Sequence, residues 1–220
     1  MTKPHVISFM SVAATPELRM QEFKKFLQLF LIYLPDFRAP VALTINVSCP
    51  NTKNAPKELA YEALSMVQEA QILNIPVGVK FGPEVEAQTI MEIDKSGICD
   101  YVVLCNTLKV GNYAKNFSWR WAFGWKSFAW SLFGKVYSPL EKFGGGGYSG
   151  PKLRPVVRDL IKEVRAKGAK ITIIACGGIQ KPKHVIEMLD AGANAVKIGT
   201  VAMLRFWRIS SIKKTAYEVF

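Results

Sequence analysis

Several features that would point to other protein classes are scarce or absent in this chain of 220 residues. It has two histidines and four cysteines, and no two cysteines form a C-x-x-C pair, so a zinc site is not expected. No window approaches the ~20 apolar residues that a membrane-spanning helix needs. No G-x-G-x-x-G follows the first apolar run, which argues against a dinucleotide-binding sheet. The composition predicts a globular cytoplasmic protein with free thiols.

Acidic residues are also few, since 17 Asp and Glu stand against 29 Lys and Arg, for a net charge of +12. Such an excess suits nucleic acid, an anionic membrane surface, or an enzyme with anionic ligands. The basic residues are scattered along the chain, which favours the enzyme over a nucleic-acid-binding protein.

The densest basic and aromatic segment is residues 109–142, and three interpretations of it stay open. It holds four of the five tryptophans, Trp119, Trp121, Trp125 and Trp130. Tryptophan with basic residues suits a membrane interface, and the same segment can also act as a lid over a substrate. We favour the third interpretation, an insert packed against the domain.

Strand-like apolar runs alternate with helix-like segments along the whole chain, which predicts a parallel sheet covered by helices. We count about six strand–helix units in a single domain spanning residues 1–220. The pattern fits a (β/α)₈ barrel or a doubly wound sheet. The predicted strands are His5–Met10, Val41–Val47, Ile75–Phe81, Asp100–Cys105, Ile171–Ala175 and Ala195–Ile198.

Polar residues cluster where three of these strands end. The second strand runs into residues 46–51, with the sequence Asn-Val-Ser-Cys-Pro-Asn; Lys80 closes the third, and Asn106 and Thr107 follow the fourth. The carboxyl ends of parallel strands form the ligand face of α/β proteins, so we expect these side chains to lie together. Taken singly, each has a simpler explanation as a turn or as a surface lysine.

Glycines mark the ends of the last two strands. Gly177-Gly178 follows one strand and Gly199-Thr200 follows the next. Backbone N–H groups from two successive loops can converge on one phosphate, as they do in barrels. A third glycine run, residues 144–150, leads into a helix start at Pro151, which is another place for an anion, although alone it resembles a linker.

Taken together, these segments resemble the class 1 dihydroorotate dehydrogenases, flavin enzymes of pyrimidine synthesis. Residues 46–51 are similar to the active-site segment of that family. The strand ending in Val-Lys80, the pair Asn106-Thr107, the Gly-Gly-x-Ser-Gly segment ending at Gly150 and the two later glycine pairs follow in the family's order. The resemblance covers nearly the whole chain after about Ser8, and it implies a TIM (β/α)₈-type barrel.

The resemblance implies FMN-dependent oxidation of dihydroorotate to orotate, with the electron acceptor (fumarate, NAD or a quinone) left open. It makes Cys49 the base that removes the C5 proton, while hydride passes to the flavin, and it implies no metal. The substrate-binding residues implied are Asn46, Asn51, Asn106 and Thr107. The cofactor-binding residues implied are Asn46, Lys80, Cys105, Gly150, Gly177, Gly178, Gly199 and Thr200.

In the family, two further strand–helix units precede the strand that resembles His5–Met10. The chain lacks a counterpart of these two units at its start. We therefore expect a barrel that is incomplete at its N-terminus, and three explanations stay open: the true start codon lies upstream, the gene is split, or the protein works with another chain. A homo-oligomer or a complementing chain is the arrangement we expect. Two alternative functions stay open. One is a tRNA-dihydrouridine synthase, which the charge suits but which prefers Gly-Cys-Pro to Ser48-Cys49-Pro50. The other is a non-catalytic flavin- or phosphate-binding fragment or partner subunit.

Overall fold

The computed structural model describes residues 3–47, 56–111, 114–123 and 146–220, with the backbone alone described for 56–60 and 123. Its main sheet has six parallel strands, and a separate two-stranded ribbon pairs β5 with β6 antiparallel. The strands are β1 His5–Phe9, β2 Val41–Asn46, β3 Val77–Phe81, β4 Tyr101–Leu104, β5 Leu108–Lys109, β6 Gly147–Tyr148, β7 Thr172–Cys176 and β8 Ala195–Lys197.

A helix follows nearly every strand of the main sheet. The first begins as the sequence predicts, because the Thr15 hydroxyl accepts a hydrogen bond from the Leu18 N–H at 3.3 Å and Pro16 occupies the first turn. The helices are α1 Pro16–Tyr33, α2 Pro56–Ala70, α3 Ala87–Ser96, α4 Trp119–Phe123, α5 Leu153–Ala166, α6 Pro182–Asp190, α7 Thr200–Leu204 and α8 Ile209–Val219, with 3₁₀ turns at 34–36, 71–73 and 206–208.

The six strands of the main sheet lie in the order β1-β2-β3-β4-β7-β8. A doubly wound sheet reverses direction at a switch point, whereas here the order never reverses. The prediction of an incomplete (β/α)₈-type barrel with about six units is therefore confirmed. Within the described ranges, no strand pairs with the outer edge of β1 or of β8.

The two faces of the sheet have different roles. Side chains that point to the helices, such as those of Leu43, Val79 and Ile173, are fully buried and form the main core. On the inner face, the Tyr101 ring covers Gly78 so closely that a Cβ there would lie 2.3 Å from it. The Tyr101 hydroxyl donates to the Leu43 carbonyl at 2.8 Å and lies 2.8 Å from the Thr44 hydroxyl. This layer fills the inner face below the strand ends.

The start of the 109–142 segment packs against the sheet domain. Phe117 and Trp119 meet edge to face with ring centroids 4.9 Å apart, and both lie near Tyr148 of β6. These rings cover a small core that includes Leu108 and Leu153. The described part of the segment thus lies against the sheet domain. Trp125, Trp130 and their neighbours lie outside the described residues, so the interpretation of the whole segment stays a prediction. Among helices of the described ranges, none has the length and apolar character to cross a bilayer.

Candidate active site

A cleft of about 390 Å³ opens at the carboxyl ends of β3, β4, β7 and β8. Most of the site residues predicted from the sequence line this one cleft. They are Lys80, Cys105, Asn106, Thr107, Gly150, Gly177, Gly178, Gly199 and Thr200. The expectation that separate strand ends bring these residues together is met by the structure; their functional roles stay a prediction.

Two predicted amide side chains meet beside the cleft. The Asn106 amide donates to Asn46 Oδ1 at 3.4 Å, and the Asn46 amide contacts the Met10 sulfur at 3.3 Å. The Asn106 backbone N–H is held by the Phe81 carbonyl at 2.8 Å, which fixes the start of the loop. Asn46 therefore joins the site through Asn106. Cys49 and Asn51 lie outside the described residues, so their predicted places stay untested.

The lining of the cleft includes two thiols, of Cys105 and Cys176, and two lysines, Lys80 and Lys197. Burial raises the pKa of the Cys105 thiol well above its ordinary value, and it raises the pKa of Cys176 against the opposing charges of Lys80 and Lys197. Both thiols are therefore protonated at neutral pH. The resemblance predicts that the Cys105 backbone contacts the cofactor. Its N–H is not available for that contact, because it donates to the Cys176 carbonyl at 2.6 Å.

Lys80 reaches into the cleft from β3. Burial lowers the pKa of its ammonium group, neighbouring Cys176 opposes this shift, and the charge of Lys197 adds to it. Lys197 is not among the site residues predicted from the sequence. The sequence places Lys197 in the predicted strand Ala195–Ile198, two residues before Gly199, and its register with Cys176 in the structure identifies it as a cleft residue.

Three loops converge on one wall of the cleft. Gly178 has a φ of +68°, and a Cβ there would lie 2.8 Å from the Arg154 backbone nitrogen and 3.0 Å from the Gly150 carbonyl oxygen. Only glycine suits both the conformation and the contact. The Ser149 and Thr200 hydroxyl oxygens are 2.6 Å apart, which joins the loops before α5 and after β8. The wall is therefore rich in exposed backbone and hydroxyl groups.

Behind this wall lies a polar network of Arg154, His184 and Glu187, which the sequence motifs do not predict. The Arg154 guanidinium pairs with Glu187 at 2.8 Å and lies 2.7 Å from His184 Nε2. His184 Nδ1 accepts the Gln180 backbone N–H at 3.0 Å, which fixes the loop after Gly178. Burial, followed by the charge of Arg154, lowers the pKa of His184, so the ring is neutral at pH 7.

The chemistry of the cleft fits a ligand with both a phosphate and a polar heterocycle. Glycine loops and hydroxyls suit the phosphate, amide side chains suit the heterocycle, and a lysine suits negative charge. No acidic side chain belongs to the described lining. In the part of the chain that the structure describes, no group of three His, Cys, Asp or Glu residues is placed to bind a metal ion.

Comparison with known proteins supports this picture. The dihydroorotate dehydrogenase family model matches residues 131–218. The chain is 30% identical over 171 residues to the catalytic subunit of dihydroorotate dehydrogenase B (NAD(+)) from Listeria monocytogenes, covering 74% of this chain and 49% of that one. The corresponding subunit from Staphylococcus carnosus is 33% identical, and the match covers 72% of this chain and 47% of that one. The subunit from Anoxybacillus flavithermus is 34% identical, and the match covers 72% of this chain and 46% of that one.

The fold has a counterpart among solved structures. The crystal structure of DHODH from Eimeria tenella in complex with ferulenol matches with a TM-score of 0.55 and 16% identity, covering 92% of this chain and 63% of that one. This likeness concerns the fold alone. The chain spans about half the length of the curated relatives it matches. The sequence relatives confirm the resemblance inferred from the motifs, and the chain is related to the class 1 dihydroorotate dehydrogenases.

Proposed function

We propose that this chain binds FMN and carries the catalytic residues for oxidation of dihydroorotate to orotate. The observation that supports this most is the convergence of Lys80, Asn106 and the three glycine-containing loops on one cleft. These segments are far apart in the sequence, and they follow the order of the family's site segments. The names of the sequence relatives point to the same reaction.

Each element of the cleft has a task in this proposal. The loops at Gly150, Gly177-Gly178 and Gly199-Thr200 hold the phosphate through backbone N–H groups and hydroxyls. Asn46 and Asn106, already in contact, orient the substrate ring with Thr107 and Asn51. Lys80 provides positive charge beside the polar edge of the cofactor ring. A bound flavin supplies the acceptor for the two electrons that leave the substrate.

Cys49 is the proposed base, and it removes the proton at C5 of dihydroorotate. A thiol with an ordinary pKa of about 8.5 is only partly ionised at pH 7, so the reaction should speed up as the thiolate forms with rising pH. The other cysteines suit this role less well, because burial raises the pKa of Cys99, Cys105 and Cys176.

We further propose that a second polypeptide segment completes the barrel. Two exposed sheet edges are unfavourable for a free protein, and those of β1 and β8 are unpaired within the described ranges. The sequence relatives are named catalytic subunits, which suggests a complementing chain; a homo-oligomer is the other arrangement we expect. A cytoplasmic location stays part of the proposal.

The proposal is tested by recording the absorption spectrum of the chain with FMN and then adding dihydroorotate without oxygen. We expect flavin bands that bleach on addition of the substrate. The Cys49→Ala variant should keep the bands and bleach at least about 10²-fold more slowly, the scale of a lost general base. Cys99→Ala, which removes a buried thiol before β4, is the matched control and should bleach as the wild type does.

Two results would count against the proposal. Failure to bind FMN at all would remove its basis. Flavin bands that do not bleach would favour the alternative of a non-catalytic flavin-binding partner, and equal bleaching in Cys49→Ala would remove Cys49 from the base role.

A further inference from the structure

The floor of the cleft contains a second lysine that the sequence motifs did not identify. Cys176 at the end of β7 is the register partner of Lys197 at the end of β8. On the other side, Cys105 follows Leu104, the register partner of Ala175, and so lies beside Cys176. Lys80 reaches the same place from β3. In the strand order β3-β4-β7-β8, the two lysines therefore flank the two cysteines.

The positive charges on the floor have no acidic partner among the residues that line the cleft in the described ranges. They are close enough to act on each other and on the thiol between them: the charge of Lys197 lowers the pKa of Lys80, and both lysines oppose the rise in the pKa of Cys176. Two like charges beside one cleft repel each other, so a negative charge placed between them is favoured.

The phosphate is already provided for elsewhere in the cleft. Its proposed site is the wall of glycine loops and hydroxyls formed by Gly178, Gly150, Ser149 and Thr200. Lys197 lies in β8 level with Cys176, ahead of that wall, and lines the same cleft as Cys105 and Cys176. We therefore assign to the two lysines a group of the ligand other than the phosphate.

We propose that Lys197 is a second cationic contact to the cofactor ring, which stabilises the negative charge that the ring gains on reduction. This inference rests on the proposed binding of FMN. It assigns to Lys197 an effect on the reduced state of the cofactor that is larger than its effect on the oxidised state. In this inference both Lys80 and Lys197 place positive charge beside the reduced ring.

The test is an anaerobic redox titration of the FMN-loaded chain against reference dyes, combined with the dissociation constant of oxidised FMN. In Lys197→Gln we expect binding of oxidised FMN within about threefold of the wild type. We expect the affinity for reduced FMN to fall about tenfold further than the affinity for oxidised FMN, which is the scale of one nearby charge in a partly solvated site. For a two-electron couple this corresponds to a midpoint ~30 mV more negative.

Two variants serve as controls. Lys197→Arg keeps the charge and should keep the midpoint. Lys170→Gln makes the same charge change at an exposed position before β7, at the opposite end of the sheet, and should leave the midpoint unchanged. Riboflavin, which lacks the phosphate, should show the same shift in Lys197→Gln as FMN does.

The outcomes separate this inference from the function on which it rests. An unchanged midpoint in Lys197→Gln, with FMN still bound, overturns the inference and leaves the proposed function intact. Equal weakening of oxidised and reduced FMN, absent with riboflavin, also overturns it, because Lys197 would then act on the phosphate. If the chain binds no flavin, the proposed function itself fails, and the inference fails with it.

Discussion

Two regions of this molecule differ in how their positive charges are paired. On the helical side of the sheet, the Arg19 side chain is 4% exposed, and its Nε and Nη2 atoms bind the two carboxylate oxygens of Glu62 at 2.5 and 2.7 Å. Its remaining nitrogen donates to the Ala13 carbonyl at 3.0 Å. On the inner side, Lys80 and Lys197 line a cleft whose described lining has no carboxylate.

The difference shows which charges serve the fold and which serve a ligand. A buried charge is costly unless it is paired and hydrogen-bonded, and Arg19 has both kinds of partner. Lys80 has a lowered pKa instead, which is the response of a buried cation that the protein does not neutralise. We conclude that Arg19 serves the fold together with Glu62, while the cleft is arranged for an anionic partner.

The largest expected effect comes from removing the partner of Arg19. Glu62→Gln leaves the buried guanidinium without its compensating charge, so we expect the free energy of unfolding to fall by about 3–5 kcal/mol. Urea denaturation followed by circular dichroism measures the change. Glu69→Gln is the matched control, because Glu69 pairs with Lys24 on the surface, where the side chains are 52% and 42% exposed. We expect less than about 1 kcal/mol there.

A small loss in Glu62→Gln, similar to that in Glu69→Gln, would break the comparison. It would mean that Arg19 is no more dependent on its partner than an exposed lysine is.

A smaller effect of opposite sign is expected from Lys80→Met. Removing a desolvated, unmatched charge should leave stability near neutral pH unchanged or raise it by about 1 kcal/mol. Because the pKa of Lys80 is lowered in the folded state, the unfolded chain binds more protons between that pKa and the ordinary value of 10.5. The stability contribution of Lys80 therefore rises with pH through this window, and the advantage of the variant should shrink there.

Paired denaturation curves of the wild type and Lys80→Met across this alkaline window check the sign. If Lys80→Met is less stable than the wild type at neutral pH, and this disadvantage shrinks as pH rises, Lys80 has a stabilising partner and is not an unmatched charge.

The sequence predicted the strands and their parallel order well, because local patterns determine them. The run Val41–Val47 is mostly apolar, and Thr15 with Pro16 marks a helix start; the structure has β2 at Val41–Asn46 and α1 from Pro16. Most residues of the cleft could also be predicted from the sequence, because the carboxyl ends of parallel strands meet at one edge of the sheet.

The interactions that the sequence could not predict are those between distant side chains. Arg19 and Glu62 are 43 positions apart, and nothing local pairs them. The same holds for Tyr101, whose hydroxyl reaches Thr44 across 57 positions. Lys197 was missed for another reason: it lies within an ordinary apolar strand, and only the register with Cys176 shows that it faces the cleft.

The most direct test of the central claim is an equilibrium titration of the chain with FMN, followed by flavin fluorescence. We predict saturable binding of one FMN per chain, weakened about ten- to hundredfold in Lys80→Met, which removes a charged hydrogen-bond donor. Lys24→Met, which removes an equal charge from the surface pair with Glu69, should bind as the wild type does. The absence of binding, or equal affinity in all three proteins, would contradict the claim that the positive charge of Lys80 in the cleft contributes to binding a flavin.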